Sequence, residues 1–326
     1  MERRKREAQI GSLVVFDGTR IDSRIGAAVG MMALGGNFEE WGDESEGDLP
    51  ELTGRSVVLV DVGVSGEILT SIKDDNHPIL MVESSAAGAA LVRNCAGGRT
   101  TLISGMKHSA GTMAWLAMGA QGSELPALMR GMDWLSIGEE TDGESISVAI
   151  GAMANQAGVA EIVRCLQGDT DITRRWEEAG AAEGDRLRTS WREKVAKGRY
   201  SSLGGARIYM ANAERGVEGA VASECARFGD CIGASWTCVG GWVELVLKGP
   251  ADSNLMMLCR AFGGYGEGRN GRISLSWEAL EMLKRGRLGA LEARHLNRKC
   301  GAGEKKQVKW VSRDDICVAT GGLQGD

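Results

Sequence analysis

The sequence has 326 residues, of which 43% are hydrophobic and 25% charged, and its formal net charge is −6. This length predicts about two domains, and the net charge gives no bulk reason to expect a nucleic-acid partner, although it is compatible with a local basic groove. No apolar run reaches the ~18 residues that a membrane span needs, and the N-terminus lacks the apolar core of a secretory signal. We therefore expect an intracellular protein of the cytoplasm or an organelle matrix.

The cysteines and histidines limit the kinds of metal site that are expected. The eight cysteines contain no C-x-x-C pair, which argues against a structural zinc site, and without a secretory signal they are expected to be reduced thiols. The three histidines are His77, His108 and His295. This scarcity argues against a histidine-rich metal site or a histidine-based catalytic triad.

The first strand and helix form the unit around which the chain is organised. The apolar run Leu13–Phe16 predicts a buried strand, Asp17 and Gly18 predict a turn, and a helical pattern opens near Gly26. Asp22 lies in the loop between them, at the carboxyl end of the strand, where open α/β sheets place their ligands. The alternative is an ordinary strand–helix turn in which Asp22 is the helix N-cap.

Three further apolar runs predict strands, at Arg55–Asp61, Pro78–Glu83 and Thr100–Ile103. The acidic stretch from Asn37 to Leu52 predicts a surface loop. Helical patterns follow the strands, at Gly66–Lys73, Ala86–Arg93, His108–Met118 and Leu125–Leu135. Strands that alternate with helices are typical of a mostly parallel sheet.

Carboxylates follow the predicted strands at Asp17, Asp22, Asp61 and Glu83. Because the ends of parallel strands converge on one edge of the sheet, these side chains are expected to lie close together, which is costly unless they bind cations or pair with basic groups. Carboxylate oxygens suit Mg²⁺ or Mn²⁺. The alternative is that each carboxylate caps the following helix and needs no metal.

Five segments of the chain occur in an order that carries a family resemblance. They are Phe16–Asp22 before a small-residue helix, Leu52–Asp61, Met81–Ser85, Met106–Trp115 and Arg130–Leu135. Together they resemble five motifs of the DHH phosphoesterases. The first segment is similar to the family's His-Gly-x-x-x-Asp loop, and the second is similar to a strand that ends in a ligand aspartate. The third is similar to the Asp-His-His signature, the fourth to the Ser-Gly-Ala helix, and the fifth to the region of the last ligand aspartate. Members of this family are metal-dependent enzymes that hydrolyse phosphodiesters and phosphoanhydrides.

The chain departs from the family pattern at positions that bear on metal binding. The first-motif histidine is Asp17 here, and the Asp-His-His signature is Glu83, Ser84 and Ser85. Serine is a poor substitute for imidazole as a metal ligand. His108 matches a non-ligand position, where we expect a partly buried helix histidine. The resemblance implies that any metal ligands are Asp22, Asp61 and Asp133, with Asp17 and Glu83 as further candidates.

The charge-rich segment Gln167–Arg199 predicts exposed helices that link two lobes, docked by Trp176 and Trp191. The alternative is a basic nucleic-acid face with aromatic stacking, but interleaved acidic residues favour solvated helices. A second α/β pattern follows, with strands at Arg207–Asn212 and Trp242–Leu247 and helices at Val217–Phe228 and Leu255–Phe262.

The glycine-rich stretch Gly263–Asn270 can bring backbone N–H groups close to a phosphate, although a flexible turn explains it as well. It resembles the Gly-Gly-Gly-Gly-His loop of the DHH-associated C-terminal domain, with Glu267 replacing the histidine, while Lys248 stands in place of an arginine. Glu267 would repel a substrate phosphate, and Lys248 lacks the bidentate fork of arginine. For an active enzyme the resemblance implies a phosphate site formed by Lys248, Gly263, Gly264, Gly266 and Arg269.

These patterns predict an α/β fold of two lobes. Residues 1–160 form a DHH-like domain with a mostly parallel sheet, 161–200 a helical linker, and 201–285 a smaller α/β domain that resembles the DHH-associated domain. Residues 286–326 form a C-terminal extension, which is either a surface tail or an added interaction segment.

The departures from the family pattern favour a non-catalytic DHH phosphoesterase-like protein that has no metal cofactor and acts as an accessory subunit of a larger assembly or associates with itself. The alternative is an active phosphodiesterase that binds Mg²⁺ or Mn²⁺ at an all-carboxylate site. Nine tryptophans, against four phenylalanines and three tyrosines, point to protein interfaces at Trp176, Trp191 and Trp310. The alternative is that these tryptophans dock the helices and tail onto the protein's own lobes.

Overall fold

The computed structural model describes residues 12–41, 55–61, 79–84, 100–104, 108–118, 124–239, 242–300, 309–313 and 316–320. Its strands are β1 (Ser12–Asp17), β2 (Gly36–Trp41), β3 (Ser56–Val60), β4 (Ile79–Glu83), β5 (Thr100–Ser104), β6 (Arg199–Leu203), β7 (Ala206–Asn212), β8 (Ile232–Val239), β9 (Trp242–Lys248), β10 (Tyr265–Glu267), β11 (Asn270–Leu275), β12 (Lys309–Arg313) and β13 (Ile316–Thr320). Its helices are α1 (Ile21–Leu34), α2 (Ala110–Met118), α3 (Ala127–Ile137), α4 (Gly143–Ala154), α5 (Val159–Leu166), α6 (Thr170–Ala196), α7 (Glu218–Gly229), α8 (Met256–Ala261), α9 (Trp277–Lys284) and α10 (Ala290–Cys300). None of the helices in these ranges is long and apolar enough to cross a membrane. The predicted helices at Gly66–Lys73 and Ala86–Arg93, together with Ser85, lie outside the described residues.

The first sheet is mostly parallel, as predicted. Within the described residues its strands lie in the order β12-β13-β5-β4-β3-β1-β2, and the strands from β5 to β2 run parallel. Leu13, Val14, Val15 and Phe16 are each at most 1% exposed, so both faces of β1 are covered. A strand buried on both faces has a continuous apolar sequence, which is why the apolar runs predict these strands.

Two segments extend this sheet beyond the prediction. The predicted surface loop from Asn37 to Leu52 is wrong for its first residues, because Gly36–Trp41 form β2, parallel to β1 at the sheet edge. An edge strand pairs through its backbone on one side only, so it needs no apolar run. The predicted surface tail is wrong for β12 and β13, because β13 pairs antiparallel with β5 and β12 with β13.

The second sheet is smaller and mixed. In the described residues its order is β10-β11-β9-β8-β7-β6, with β7 and β8 parallel and the other neighbours antiparallel. Tyr209 and Ala211 of β7 join the core of the first lobe together with α7, whereas Ile208 and Met210 form a separate core with α8, α9 and α10. The two-lobed α/β fold class is confirmed, and the domain boundaries at 160, 200 and 285 stay predictions.

One long helix, α6, takes the place of the predicted linker helices. It has 27 residues and begins after Asp169, whose side chain accepts hydrogen bonds from two backbone N–H groups of the first turn. Trp176 and Trp191 are 0% and 2% exposed. The prediction that these tryptophans dock the helix is therefore confirmed, and the idea that they form an interface with another protein is wrong.

The contact between α4 and α6 depends on glycine. A Cβ atom on Gly151 would lie 1.7 Å from the carbonyl oxygen of Trp176, and one on Gly180 would lie 1.8 Å from that of Ser147. The two helix backbones therefore approach more closely than any side chain would allow. This contact holds α6, which leads into the second lobe, against the first lobe.

We expect Gly180→Ala to destabilise the protein by about 1–3 kcal/mol, because the added methyl group overpacks a contact between two backbones. Gly184→Ala on the same helix is the matched control, since its Cβ atom would meet nothing nearer than the Ile150 side chain at 3.9 Å. We expect this control to be neutral or to stabilise by up to about 1 kcal/mol. Urea unfolding followed by circular dichroism measures both, and equal effects would contradict a close crossing at Gly180.

Candidate functional site

The carboxylates that the sequence places at strand ends lie along one edge of the first sheet. Asp17 is the last residue of β1, Asp61 directly follows β3, Glu83 is the last residue of β4, and these three strands are neighbours. Asp22 lies in the first turn of α1. All four residues are buried, with exposures between 1% and 7%. Buried carboxylates need partners, so the chemistry of this edge depends on what neutralises them.

A guanidinium group from the same loop pairs with two of these carboxylates. Arg20 Nε lies 3.0 Å from Asp22 Oδ1, and Arg20 Nη2 donates to the other Asp22 oxygen. Arg20 Nη1 lies 3.1 Å from Asp61 Oδ2. Arg20 thus joins the loops after β1 and β3. Since α1 begins at Ile21, Asp22 lies inside the helix rather than at its N-cap.

Burial and the neighbouring charges shift the pKa values of Asp22 and Arg20 in opposite directions. Burial raises the pKa of Asp22, and the attraction of Arg20 works against that rise. Burial alone would lower the pKa of Arg20, but the neighbouring Asp22 and Asp61 more than offset it, so the pKa of the guanidinium is raised. Arg20 is therefore a permanent positive charge in the middle of the site.

Asp61 is held by the end of the neighbouring strand. Its backbone has a φ of 50°, a left-handed conformation that is uncommon for an aspartate. Its N–H donates to the carbonyl oxygen of Val82 at 2.9 Å. Its carboxylate accepts one hydrogen bond from the Ser84 N–H and one from the Ser84 hydroxyl, both at 2.7 Å. Ser84, which stands where the family signature has a histidine, thus orients a carboxylate.

Asp17 receives a cation from the second lobe. One of its carboxylate oxygens accepts hydrogen bonds from the N–H and the hydroxyl of Thr19, at 2.9 and 2.5 Å. The other lies 3.5 Å from Nη1 of Arg215, in the loop between β7 and α7. The carboxyl end of β1 is therefore also a contact between the two lobes.

Asp133 lies on α3 and pairs with His108 just before α2. Its Oδ2 lies 2.8 Å from His108 Nδ1, and its Oδ1 accepts a hydrogen bond from the Ser109 N–H at 2.7 Å. His108 is 8% exposed, and its Nε2 has no hydrogen-bond partner among the described residues. The histidine is more buried than predicted, and it lies before the helix rather than in it.

Within the described ranges, these donor groups are not arranged as a two-metal centre. In the part of the chain that the structure describes, no group of three or more histidine, cysteine, aspartate and glutamate side chains is arranged to hold a metal ion. Asp22 and Asp61 contact a guanidinium, which occupies oxygens that a metal would need. Asp133 contacts an imidazole and a backbone N–H. That these aspartates and Glu83 bind a metal ion stays a prediction.

Lys248 contacts the first lobe. Its Nζ donates to the carbonyl oxygen of Gly138, the residue that follows α3, and lies 2.7 Å from Asn270 Oδ1. The carbonyl end of a helix carries a partial negative charge, so an ammonium group stabilises it. Burial lowers the pKa of Lys248. The residue predicted to bind a substrate phosphate therefore has a partner within the protein.

Arg272 makes the second buried contact between the lobes. It donates from Nη1 to the carbonyl oxygen of Ser84 at 2.6 Å and from Nη2 to that of Ser136 at 3.3 Å. Glu218 lies near it in the interface, where burial raises the pKa of Glu218 and Arg20 and Arg272 oppose the rise. Arg272 thus links the second lobe to the end of β4 and to α3.

Of the remaining residues predicted to bind phosphate, Gly263 and Gly264 lie just before β10, while Gly266 and Arg269 lie in the hairpin formed by β10 and β11. A Cβ atom on Gly264 or Gly266 would lie 2.2 or 2.7 Å from a backbone carbonyl oxygen, so close packing requires glycine at both positions. Gly263 has a φ of +81°. Arg269 Nη1 lies 2.8 Å from Glu140 Oε1 of the first lobe. A phosphate-binding role for these residues stays a prediction.

Three arginines of this site, Arg20, Arg215 and Arg272, were not predicted from the sequence. The signal for Arg20 was present, because a basic residue stands inside the first motif two positions before Asp22. Arg215 and Arg272 reach partners 198 and 188 residues earlier in the chain, which no local pattern encodes.

Several solved structures are similar to this chain. No protein-family model and no curated protein matches the chain. An exonuclease RecJ bound to manganese is 14% identical, with 90% of this chain and 94% of that chain covered and a TM-score of 0.36. A pGpG-specific phosphodiesterase from Vibrio cholerae is 14% identical, with 89% and 99% covered and a TM-score of 0.28. An exopolyphosphatase-related protein from Bacteroides fragilis is 11% identical, with 87% and 94% covered and a TM-score of 0.36.

The names of these proteins are those of phosphoesterases, the class that the order of sequence motifs resembles. At these identities and TM-scores the similarities carry no argument about the activity of this chain. The proposals below rest on its own residues.

We expect Arg272→Ala to lower the free energy of unfolding by about 2–4 kcal/mol, because it removes two buried charge-assisted hydrogen bonds and leaves carbonyl oxygens unpaired. Arg269→Ala is the matched control, since its pair with Glu140 is exposed and is worth less than about 1 kcal/mol. Chemical unfolding measures both variants. A small effect of Arg272→Ala, equal to that of the control, would contradict the inter-lobe role.

Proposed function

We propose that this chain is a DHH phosphoesterase-like protein in which a guanidinium group stands in for metal ions, and that it does not hydrolyse phosphodiesters. The observation that carries the proposal is the contact of Arg20 with both Asp22 and Asp61. These two aspartates stand at positions that resemble ligand positions of the family. A cation of the protein itself pairs with both of them.

A guanidinium can neutralise carboxylates, but it cannot perform metal-ion chemistry. Metal ions activate a bound water and stabilise the leaving oxygen because they accept lone pairs as Lewis acids. Arginine has only N–H donors and stays protonated at all ordinary pH values. Arg20 therefore organises the loops without supplying a nucleophile.

The second lobe supports the same proposal. Lys248 and Arg272 use their donors on backbone carbonyl oxygens of the first lobe rather than presenting them to a cleft. Two cations that hold a closed contact are poorly placed to bind and release a substrate phosphate. The two lobes then act as one unit with a structural interface between them.

The alternative function is an active phosphodiesterase that binds Mg²⁺ or Mn²⁺ through carboxylates at an altered site. It would require the carboxylates to leave Arg20, which costs the energy of separating a buried bidentate pair. Two metal ions bound per chain, together with phosphodiester hydrolysis in Mn²⁺, would support this alternative and overturn the proposal.

The variant Arg20→Ala separates the two functions. Removing the guanidinium leaves Asp22 and Asp61 buried without their cation. We therefore expect the free energy of unfolding to fall by about 3–5 kcal/mol. We also expect millimolar Mg²⁺ or Mn²⁺ to raise the melting temperature of this variant, because a divalent ion can replace the lost charge, while the wild-type chain stays unaffected.

Arg24→Ala is the control for this experiment. Arg24 lies on the same helix and donates to backbone carbonyl oxygens of Gly18 and Gln156. We expect this variant to lose stability without gaining a response to metal. A melting temperature of the wild-type chain that rises strongly with Mn²⁺ would contradict the proposed role of Arg20.

We further propose that the protein is an accessory subunit that binds other subunits or itself. Support comes from large apolar side chains exposed on the second lobe: Phe228 is 61% exposed, Met257 73%, Trp277 45% and Leu291 84%. Exposed aromatic and methionine side chains are enriched at interfaces. The buried Trp176 and Trp191 give no support to this part of the proposal.

We expect the purified protein to run as an oligomer by light scattering, or pull-downs from its source to recover a stoichiometric partner. Trp277→Ser with Leu291→Ser should weaken that association, because it removes apolar surface that a partner would bury. Trp176→Ser is unsuitable as a test of association, since it would leave a large cavity in the core. A monomer without any stoichiometric partner would overturn the subunit proposal and leave the Arg20 proposal untouched.

A further inference from the structure

A groove lies where the end of α6 meets β6, β7, β8 and α9 of the second lobe. It has a volume of about 230 Å³, and the residues that line it include Lys194, Lys197, Arg199, Met210, Trp236 and Lys284. Met210 and Trp236 belong to the core formed with α8, α9 and α10. The first lobe packs against the opposite face of the sheet. The groove is therefore separate from the carboxylate edge.

Positive charge is concentrated at this groove. Lys194, Lys197 and Arg199, at and just after the end of α6, line it together with Lys284, the last residue of α9. The acidic partners are Glu214, which pairs with Lys194, and Glu281, which pairs with Lys284. The four cations that line the groove therefore outnumber these two acids. The groove is therefore locally positive on a chain whose net charge is −6.

An aromatic side chain fixes one of the cations. Lys284 Nζ lies 4.6 Å from the centroid of the Trp236 ring, and Trp277 meets the same ring edge-on at 6.4 Å. A cation–π contact of this kind restrains the ammonium group, one of whose N–H donors is used on Glu281 Oε1 at 2.7 Å. Lys197 and Arg199 are exposed at the rim of the groove. The groove thus has a positioned cation inside and two more at its mouth.

We propose that this groove binds a compact oligophosphate anion, such as inorganic pyrophosphate or the phosphate chain of a nucleoside triphosphate. Lysine binds phosphate as a point charge, and arginine matches two phosphate oxygens with its planar fork. Cations from α6, β6 and α9 surround one small volume, which suits adjacent phosphates better than a single one. The proposal is independent of the function proposed for the Arg20 site.

A long polyanion fits the surroundings less well than a compact one. A nucleic-acid strand needs a basic track that continues beyond one pocket. Along α6, the surface before the groove alternates in sign, with Glu177, Glu178, Glu183 and Asp185 among its arginines. These carboxylates would repel the phosphates of a strand that extended in this direction.

Calorimetric titration of the full-length protein at low ionic strength tests the proposal. The probes are inorganic pyrophosphate, adenosine triphosphate and a short single-stranded oligonucleotide. We expect pyrophosphate and the triphosphate to bind, and added salt to weaken both. Tighter binding of the triphosphate would assign a nucleotide as the source of the phosphates, and equal binding would assign the inorganic anion. Preference for the oligonucleotide would overturn the proposal.

The variant Lys197→Glu/Arg199→Glu identifies the groove as the site. We expect it to weaken pyrophosphate binding by about tenfold or more, since two favourable charges become repulsive. Arg186→Glu/Arg188→Glu is the control with the same change in net charge, at α6 side chains that are 78% and 48% exposed. We expect less than about a twofold effect there.

Circular dichroism verifies that each variant is folded, and Lys197→Gln/Arg199→Gln replaces the first variant if it is not. No binding of pyrophosphate or triphosphate to the wild-type chain, by calorimetry and by phosphorus NMR, would overturn the proposal. So would a control variant that loses as much affinity as the groove variant.

Discussion

The pairing of Arg20 with Asp22 and Asp61 is the constraint on which the rest of the carboxylate edge depends. Three parallel strands deliver acidic side chains to one buried edge, and like charges in such a place repel each other and lose their hydration. The Arg20 guanidinium pairs with Asp61 at this edge and with Asp22 in the first turn of α1, and it offsets part of that cost. It also joins the loops after β1 and β3, because Arg20 Nη1 lies 3.1 Å from Asp61 Oδ2 while Nε and Nη2 hold Asp22.

The same network extends into the second lobe. Arg272 donates to the Ser84 carbonyl oxygen, and Ser84 donates through its N–H and hydroxyl to Asp61, which contacts Arg20. A continuous series of hydrogen bonds therefore runs from β11 to the first motif. Arg215 makes a parallel connection to Asp17. Moving the second lobe away would disturb the carboxylates directly, so the edge and the inter-lobe interface are parts of one structure.

Much of the fold can be predicted from the sequence, because strands buried on both faces are continuous apolar runs and their ends carry the carboxylates. The placement of Asp17, Asp61 and Glu83 follows from that pattern alone. The role of Arg20 does not, since periodicity locates a residue on an element but says nothing about where a long side chain reaches. β2 and β12 are the edge strands of the first sheet and were missed because edge strands are specified by backbone pairing. The hairpin of β10 and β11 was missed because a glycine cluster indicates close backbone approach without telling whether a ligand or another strand makes it.

A buried ion pair of this kind contributes orientation more than net stability. Taking Arg20, Asp22 and Asp61 out of water costs several kcal/mol per ion, and their mutual attraction offsets a cost of similar size. Apolar side chains of equal volume would hold the loops together as well, but they would not fix the directions of two carboxylates and a guanidinium. A divalent cation would also fix directions, but it can be lost and it accepts further ligands. Arginine is covalently attached, always charged and accepts no further ligands, so under the function proposed here the edge that it organises is a structural element of the two-lobed fold.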